Sequence, residues 1–250
     1  MGRHRILLDH PIPPPGSSLT LSGDEARHTL RVKRLKPGDT LGLLDGRGGV
    51  ASGRLLASAR SGRHDWTCQI EVIHAQSVEP IRPRVEVFSG VPDGDRLASL
   101  LDGISQAGAA LWAPLDSEFG GAAARSGRAA AHERLSRIVR ESAKQCGRAW
   151  LLDLASPVSF RDALPLEHTS SIVLADASGA PYSPSAESDT IRLLVGPEGG
   201  WSPRELDLAR EHTVQPVRFA PHTLRVETAA AIATAIILDT HARLPGPLRR

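Results

Sequence analysis

Hydrophobic patterning changes character near residue 80. In "WTCQIEVI", Trp66, Cys68, Ile70 and Val72 alternate with Thr67, Gln69 and Glu71, the period of a strand with one buried face. "RILLD" and "TLGLL" predict two more short strands, the second bracketed by the turn clusters "KPGD" and "DGRGG". "SGDEARHTLRV" reads as a helix opened by a capping box, with Ser22 as N-cap and Glu25 three residues on. The prolines of "EPIRPR" suit a short stiff linker at 79–84. The expected units are therefore a small β-rich domain at 1–78 and a second domain at 85–250.

From Val85 strands and helices alternate. "VEVFSG", "LWAPL", "SIVLAD", "IRLLVG" and "VQPVRFA" predict strands, and "SIVLAD" and "IRLLVG" are apolar enough for burial on both faces. Between and after them lie helical patterns, "DRLASLLDGISQAGA", "AHERLSRIVRESAKQC" and "VETAAAIATAIIL". In the second of these Leu135, Ile138, Val139, Ser142 and Cys146 share a face, opposite Arg134, Arg137, Lys144 and Arg148. This order predicts an α/β fold with a mostly parallel sheet. The Gly/Ala-rich stretch 120–131 reads as a mobile loop.

Length and composition narrow the class. The 250 residues allow two modest domains or one large one. "MGRHRILLDH" lacks the long apolar region of a secretion signal. The longest apolar run, "AAAIATAIIL", is too short to span a bilayer. Two cysteines, Cys68 and Cys146, form no metal or disulfide framework and fit a reducing cytosol. Neither a membrane partner nor a metal is expected, and the expected compartment is cytoplasmic.

Charge changes the picture more. The net charge is only +2, yet residues 1–84 carry 13 Lys/Arg against 8 Asp/Glu, and residues 125–148 carry 7 against 2. One such stretch is ordinary solvated surface; two beside a near-neutral total favour a polyanionic partner. The candidate phosphate contacts are Arg27, His28, Arg31, Lys33 and Arg34 in the first group and Arg137, Lys144 and Arg148 in the second.

The chemistry concentrates in "LLVGPEGGWSPREL", 193–206. A strand ends in Gly196-Pro197-Glu198-Gly199-Gly200, and Ser202-Pro203-Arg204-Glu205 then supplies an N-cap, an N1 proline and the N3 Glu of a capping box. This is neither a Walker loop nor a G-x-G-x-x-G fingerprint. A tight strand-to-helix turn would look similar. Three glycines and a Glu favour a small-molecule site, because ligands of open α/β sheets sit at the carboxyl ends of strands and glycine lets a ligand reach the main chain. Nearby, "HTLRVETAAA" puts Arg225 and Glu227 at the mouth of the last helix.

Together "VGPEGGWSPREL" and "LRVETA" resemble the ribosomal small-subunit methyltransferase E family of knotted SPOUT methyltransferases. "RHTLRVKRLKPGD" with "DGRGG", and "ESAKQCGR", are weaker matches in the same order, so the resemblance spans nearly the whole chain. It implies an N-terminal PUA-like β-barrel that helps hold RNA and a C-terminal α/β domain whose final segment threads a loop. It implies a homodimer that uses S-adenosylmethionine to methylate N3 of a uridine in small-subunit (16S) ribosomal RNA, naked or in the assembled subunit. Carried onto this chain, it places the cofactor against Leu174, Leu194, Val195, Gly196, Glu198 and Gly200, with Phe219 and Leu224 on the other wall. Arg225 and Glu227 become the catalytic candidates.

Several positions depart from the family pattern. "GISQAG" stands where a Lys-x-x-Glu-Leu-Gly pattern is expected, with Gly103 and Gln106. Phe219-Ala220 replaces Leu-Gly, and an Arg expected near Phe119 is absent. These changes bear on the RNA site or the dimer more than on the cofactor loop. The competing readings are a knotted methyltransferase acting on another RNA atom, such as a ribose hydroxyl, and a catalytically silent RNA-binding homologue. The intact glycine loop argues against the silent reading.

Overall fold

The structure is a computed structural model that describes residues 4–32, 34–61, 65–120, 129–164, 170–184 and 188–244. Most of the expected loop at 120–131, namely residues 121–128, lies outside the described residues. The chain forms two compact units, Met1–Pro80 with Ala143–Leu151, and Ile81–Ser142 with Leu152–Arg250.

The first unit is built on a five-stranded sheet with strands β1 (Arg5–Leu7), β2 (Ser18–Ser22), β3 (Thr40–Leu44), β4 (Gly49–Ser61) and β5 (Asp65–Ser77) in the order β1-β3-β4-β5-β2. All pairings are antiparallel except β1 with β3. Ile6 on one edge strand and Leu19 on the other enter the same core, with Leu41, Leu43, Leu55, Cys68, Ile70 and Val72. Opposite edges can share a core only if the sheet curls. The expected alternation in β5 holds: Cys68, Ile70 and Val72 are buried while Gln69 is exposed. Turn chemistry sets the β3–β4 connection, where Asp45 Oδ1 accepts the amides of Arg47 and Gly49 at 2.8 Å each.

The expected helix at 22–32 is shorter than its pattern. It comprises α1 (Gly23–Arg27) followed by a π-helical turn, His28–Val32. Glu25, expected to close a capping box with Ser22, instead pairs with Lys144 Nζ at 2.8 Å. Arg5 donates to the carbonyls of Lys144 and Gln145, and Gly48 and Leu151 extend the same docking with main-chain hydrogen bonds to Ala149 and Gly46. These bonds draw Ala143–Leu151 into the first unit.

The second unit carries a parallel sheet of β6 (Arg84–Ser89), β7 (Leu111–Asp116), β8 (Asp153–Leu154), β10 (Ser170–Pro181), β11 (Thr190–Val195) and β12 (Pro216–Arg218), in the order β12-β10-β11-β6-β7-β8, with β9 (Val158–Ser159) on β7. Every ladder in it is parallel, as the strand–helix alternation predicts. Its helices are α2 (Arg96–Ala107), α3 (Ala129–Cys146), whose end belongs to the first unit, α4 (Phe160–Ala163), α5 (Pro203–Glu211) and α6 (Val226–Ala242). On one face α2 and α6 pack together, close enough that a Cβ on Gly103 would sit 3.1 Å from the Ala231 Cβ. On the other, Phe160 and Ala163 from α4, Leu164 just after it and Ala209 from α5 meet Leu115, Leu174 and Leu194 from the strands. Both faces are covered, which is why the central strands read as nearly continuous apolar runs.

Strand β10 is irregular where it runs beside β12. Ala175 and Ala180 both pair with Val217 of β12, so the residues between them bulge out of the ladder. Gly179 permits this: a Cβ there would lie 2.3 Å from the Pro216 carbonyl carbon, so the β12 main chain runs directly against it.

Candidate functional site

A cavity of about 550 Å³ opens at the carboxyl ends of β11 and β12, beside the mid-strand bulge of β10. One wall is the β10 bulge, Asp176 to Ser178; a second is Val195 to Glu198 with Gly200 and Trp201; a third is the returning chain from Val217 to Val226. Its size falls in the range of small-molecule sites, about 300–1,000 Å³.

Specific contacts fix the glycine loop. Gly90, after β6, sits so close that a Cβ would lie 2.7 Å from Pro197 Cα. Gly200 has φ +73°, and no protein atom lies within 4 Å of where its Cβ would be. Its amide donates to the Pro197 carbonyl at 2.9 Å, closing the turn. The left-handed backbone demands glycine there, and the space on its side-chain direction is open. Trp201 is buried; its Nε1 donates to the Ala175 carbonyl at 3.0 Å and its ring lies 5.1 Å from that of Phe160. That hydrogen bond ties the glycine loop to the point where the β10 bulge begins.

The helix behind the loop starts as its sequence predicts. Ser202 caps α5, Pro203 occupies its first turn, and Glu205 completes the capping box. Glu205 is only 4% exposed. Its Oε2 accepts the Ser202 amide at 2.8 Å, and its Oε1 accepts the Glu118 amide at 3.0 Å. One buried carboxylate thus joins the loop after β11 to the loop after β7.

Of the residues expected at the cofactor, Val195, Gly196, Glu198, Gly200, Phe219 and Leu224 line the cavity. Leu174 and Leu194 do not: they are fully buried partners in the β10–β11 ladder, and their successors Ala175 and Val195 reach the cavity instead. Gly196 contributes differently from Gly200, since a Cβ on it would press on the Trp201 ring at 3.1 Å. Glu198 is held by Arg96 Nη1 at 2.8 Å. Arg225 is exposed, lines the cavity and stands at the N-cap of α6 without a side-chain capping bond. Glu227 lies in the first turn of α6, off the cavity lining, half-buried, with Oε2 buried and without a hydrogen bond.

The basic candidates divide between the units. In the first, Arg27 is half-buried, Arg34 is exposed, and the exposed His28 has its ring 5.5 Å from that of His4. Lys33 and the Arg31 side chain lie outside the described residues. Lys144 does not present its amine to solvent: it is 13% exposed and paired with Glu25. Arg148 is half-buried in the same returning stretch, and Arg137 is exposed on the part of α3 in the second unit. Arg137 thus lies in one unit and Lys144 and Arg148 in the other, with the Lys144 amine engaged by Glu25.

Sequence reasoning missed Asp176, Ser178, Trp201 and Arg96. It also missed a cluster behind the third wall. Tyr182 stacks on Phe219 with ring centroids 5.2 Å apart, and its hydroxyl lies 2.9 Å from His241 Nε2. Burial pushes the Tyr182 phenol up to about 12 and holds the His241 imidazole below its usual value. An aromatic pair at 182 and 219 carries no local sequence signal.

A parallel sheet with a glycine loop, a capped helix and a cavity beside them defines an α/β protein with a small-molecule site, and comparison with known proteins sharpens that class. Residues 79–238 match the RNA methyltransferase domain and residues 21–61 the RNA methyltransferase PUA domain. The chain belongs to the RNA methyltransferase family, and its curated relatives carry the name ribosomal RNA small subunit methyltransferase E. It is 29% identical over 239 residues to the ribosomal RNA small subunit methyltransferase E of Mycobacterium bovis, covering 90% of this chain and 88% of that one. The Synechocystis protein of that name is 29% identical over 229 residues, covering 88% and 73%. A crystal structure of the Neisseria gonorrhoeae protein of that name, bound to S-adenosyl methionine, superimposes with a TM-score of 0.79 at 26% identity, covering 93% of this chain and 95% of the other.

Proposed function

We propose that this protein transfers a methyl group from S-adenosylmethionine to N3 of a uridine in small-subunit ribosomal RNA. The observation that carries the reading is the cavity at the end of β11, beside the β10 bulge and built around Gly200, in a chain of this family. Its residues fit the cofactor. Val195, Trp201 and Leu224 offer apolar surface to an adenine, and the loop main chain offers donors and acceptors to its edge. Asp176 offers negative charge to a cationic ligand, whereas the charge of Glu198 is already met by Arg96. Bound there, S-adenosylmethionine supplies an electrophilic methyl group on a positively charged sulfur.

The chain's own work is to position the acceptor, hold its charge and receive its proton. N3 of uridine lies on the pairing edge and is protonated at neutral pH, so the base must be unpaired or flipped out and must lose that proton. Arg225, exposed at the cavity, stabilises the charge that develops on the base oxygens. Its guanidinium sits at the positive end of α6, where the helix dipole disfavours it; an anionic substrate group accounts for a cation there. Glu227, two residues from Arg225 but off the cavity lining, receives that proton in this reading only once RNA binding opens a path to its buried Oε2. Its bare Oε2 is an oxygen with no structural bond to lose.

The assembly in this reading is a cytoplasmic homodimer with the active site beside the subunit contact. The exposed positions of α6, Thr228, Ile232, Ala235 and Asp239, form one stripe with an isoleucine in it, as a two-fold contact would use. The final segment passes through a knot as in SPOUT enzymes. The partner is small-subunit ribosomal RNA or the assembled subunit. Calorimetry with S-adenosylmethionine tests the cofactor. Saturable binding is expected, and its absence would reduce the chain to an RNA-binding module.

A further inference from the structure

We infer that Phe119 is a stacking platform for an unpaired base of the RNA, outside the cavity that takes the methyl donor. The inference rests on the RNA methyltransferase reading above and adds to it a substrate contact. Phe119 is 53% exposed, a large apolar side chain held out toward solvent. The turn that carries it is fixed rather than loose. Gly120 donates to the Ser117 carbonyl at 2.9 Å, and the Glu118 amide is held at 3.0 Å by the buried Glu205. The ring stands against the glycine loop: a Cβ on Gly199 would meet the Phe119 Cβ at 3.0 Å. Gly199 lies between Glu198 and Gly200, both on the cavity lining. The aromatic side chain is therefore presented beside the loop that walls the cavity.

Local charge selects which part of RNA this surface takes. On its other side the turn borders a second cavity lined by Asp116, Glu118, Glu205, Asp207 and Glu211, with Arg161 and Arg204. Glu205 is engaged by two main-chain amides and Asp207 by Arg210, so this lining offers no surplus of positive charge to hold a phosphate. A neutral base is the RNA group that gains from an exposed phenyl ring, because every base has a π face and stacking needs no counter-charge. A ring seated against Gly199 on a hydrogen-bonded turn also loses little freedom when a base settles on it.

The test uses the full-length protein and a short mixed-sequence single-stranded RNA, with affinity measured across a salt series. Phe119→Ala should weaken binding roughly five- to hundredfold, the range for losing one stacked base. The slope of log affinity against log salt should stay at the parent value, because no phosphate contact is lost. Phe119→Trp should restore affinity at the parent slope. Equal affinity for parent and Phe119→Ala overturns the proposal, as does a parent that binds S-adenosylmethionine but not the RNA. A change of oligomeric state in Phe119→Ala, read by light scattering, also overturns it by assigning the ring to a protein contact. Calorimetry with S-adenosylmethionine on the same samples separates the two layers, since a parent without cofactor binding refutes the methyltransferase reading itself.

Discussion

Replacing Glu205 by alanine should cost about 2–4 kcal/mol of stability, because the carboxylate's two oxygens accept two main-chain amides, those of Ser202 and Glu118. A hydrogen bond to a charged acceptor is worth about 1.5–3 kcal/mol, and a buried donor left bare costs about 1–3 kcal/mol. Ser202 is buried, so its amide carries the full penalty; the Glu118 amide is only partly buried, so water recovers some of its loss. With m near 2–3 kcal/mol/M in urea, the midpoint should fall by about 1 M with m unchanged. Glu205→Gln keeps one carbonyl acceptor but turns an NH₂ toward the other amide, and should lose about half as much. Ser202→Ala removes a single bond, from the Glu205 amide to Ser202 Oγ at 3.1 Å, and should cost about 1 kcal/mol. A Glu205→Ala protein within about 0.5 kcal/mol of the parent, the scale of ordinary surface substitutions, would refute the reasoning. It would mean that the two loops are held together by something else.

Gly200→Val forces a branched side chain into a left-handed backbone and into the cavity, so it should cost at least about 1 kcal/mol in stability and abolish calorimetric binding of S-adenosylmethionine; unchanged binding contradicts the pocket. Tyr182 is the chain's one tyrosine, so absorbance at the phenolate band reads it alone. It should titrate near 12, and its contribution to stability should persist below about pH 10 and be lost as pH rises from about 10 toward 12, because the unfolded chain ionises first. A transition at about 10 in the folded protein would contradict its burial. Arg225→Ala should slow methyl transfer on the order of a hundredfold while leaving cofactor affinity and thermal stability near the parent values, and parent-like turnover would remove Arg225 from the mechanism.

Local signals made part of this molecule legible. The α5 start is complete in four residues, Ser202 to Glu205, and the structure forms that capping box. The apolar runs of β10 and β11 and the Ala/Ile pattern of α6 needed no long-range information either. What stayed hidden depends on distant partners. Strand β4 is rich in Gly, Ala, Ser and Arg, and becomes a strand because β3 and β5 flank it. Glu25 abandons the expected cap for Lys144, 119 residues away. Leu174 and Leu194 stand one residue before the cavity lining; the sequence shows where a strand is apolar but not where its ladder ends. The wall from Asp176 to Ser178 exists because β10 bulges around the β12 main chain at Gly179, and no pattern in "ADASGAP" announces that.

The central claim is the transfer of a methyl group to uridine N3, and mass mapping of modified nucleosides measures it directly. Unmodified small-subunit ribosomal RNA, naked and in assembled subunits, would be incubated with the protein and S-adenosylmethionine, then digested and mapped. The account predicts one new N3-methyluridine, absent when Gly200→Val replaces the parent. A methyl group on a ribose or on another base atom, or no transfer at all, would contradict it.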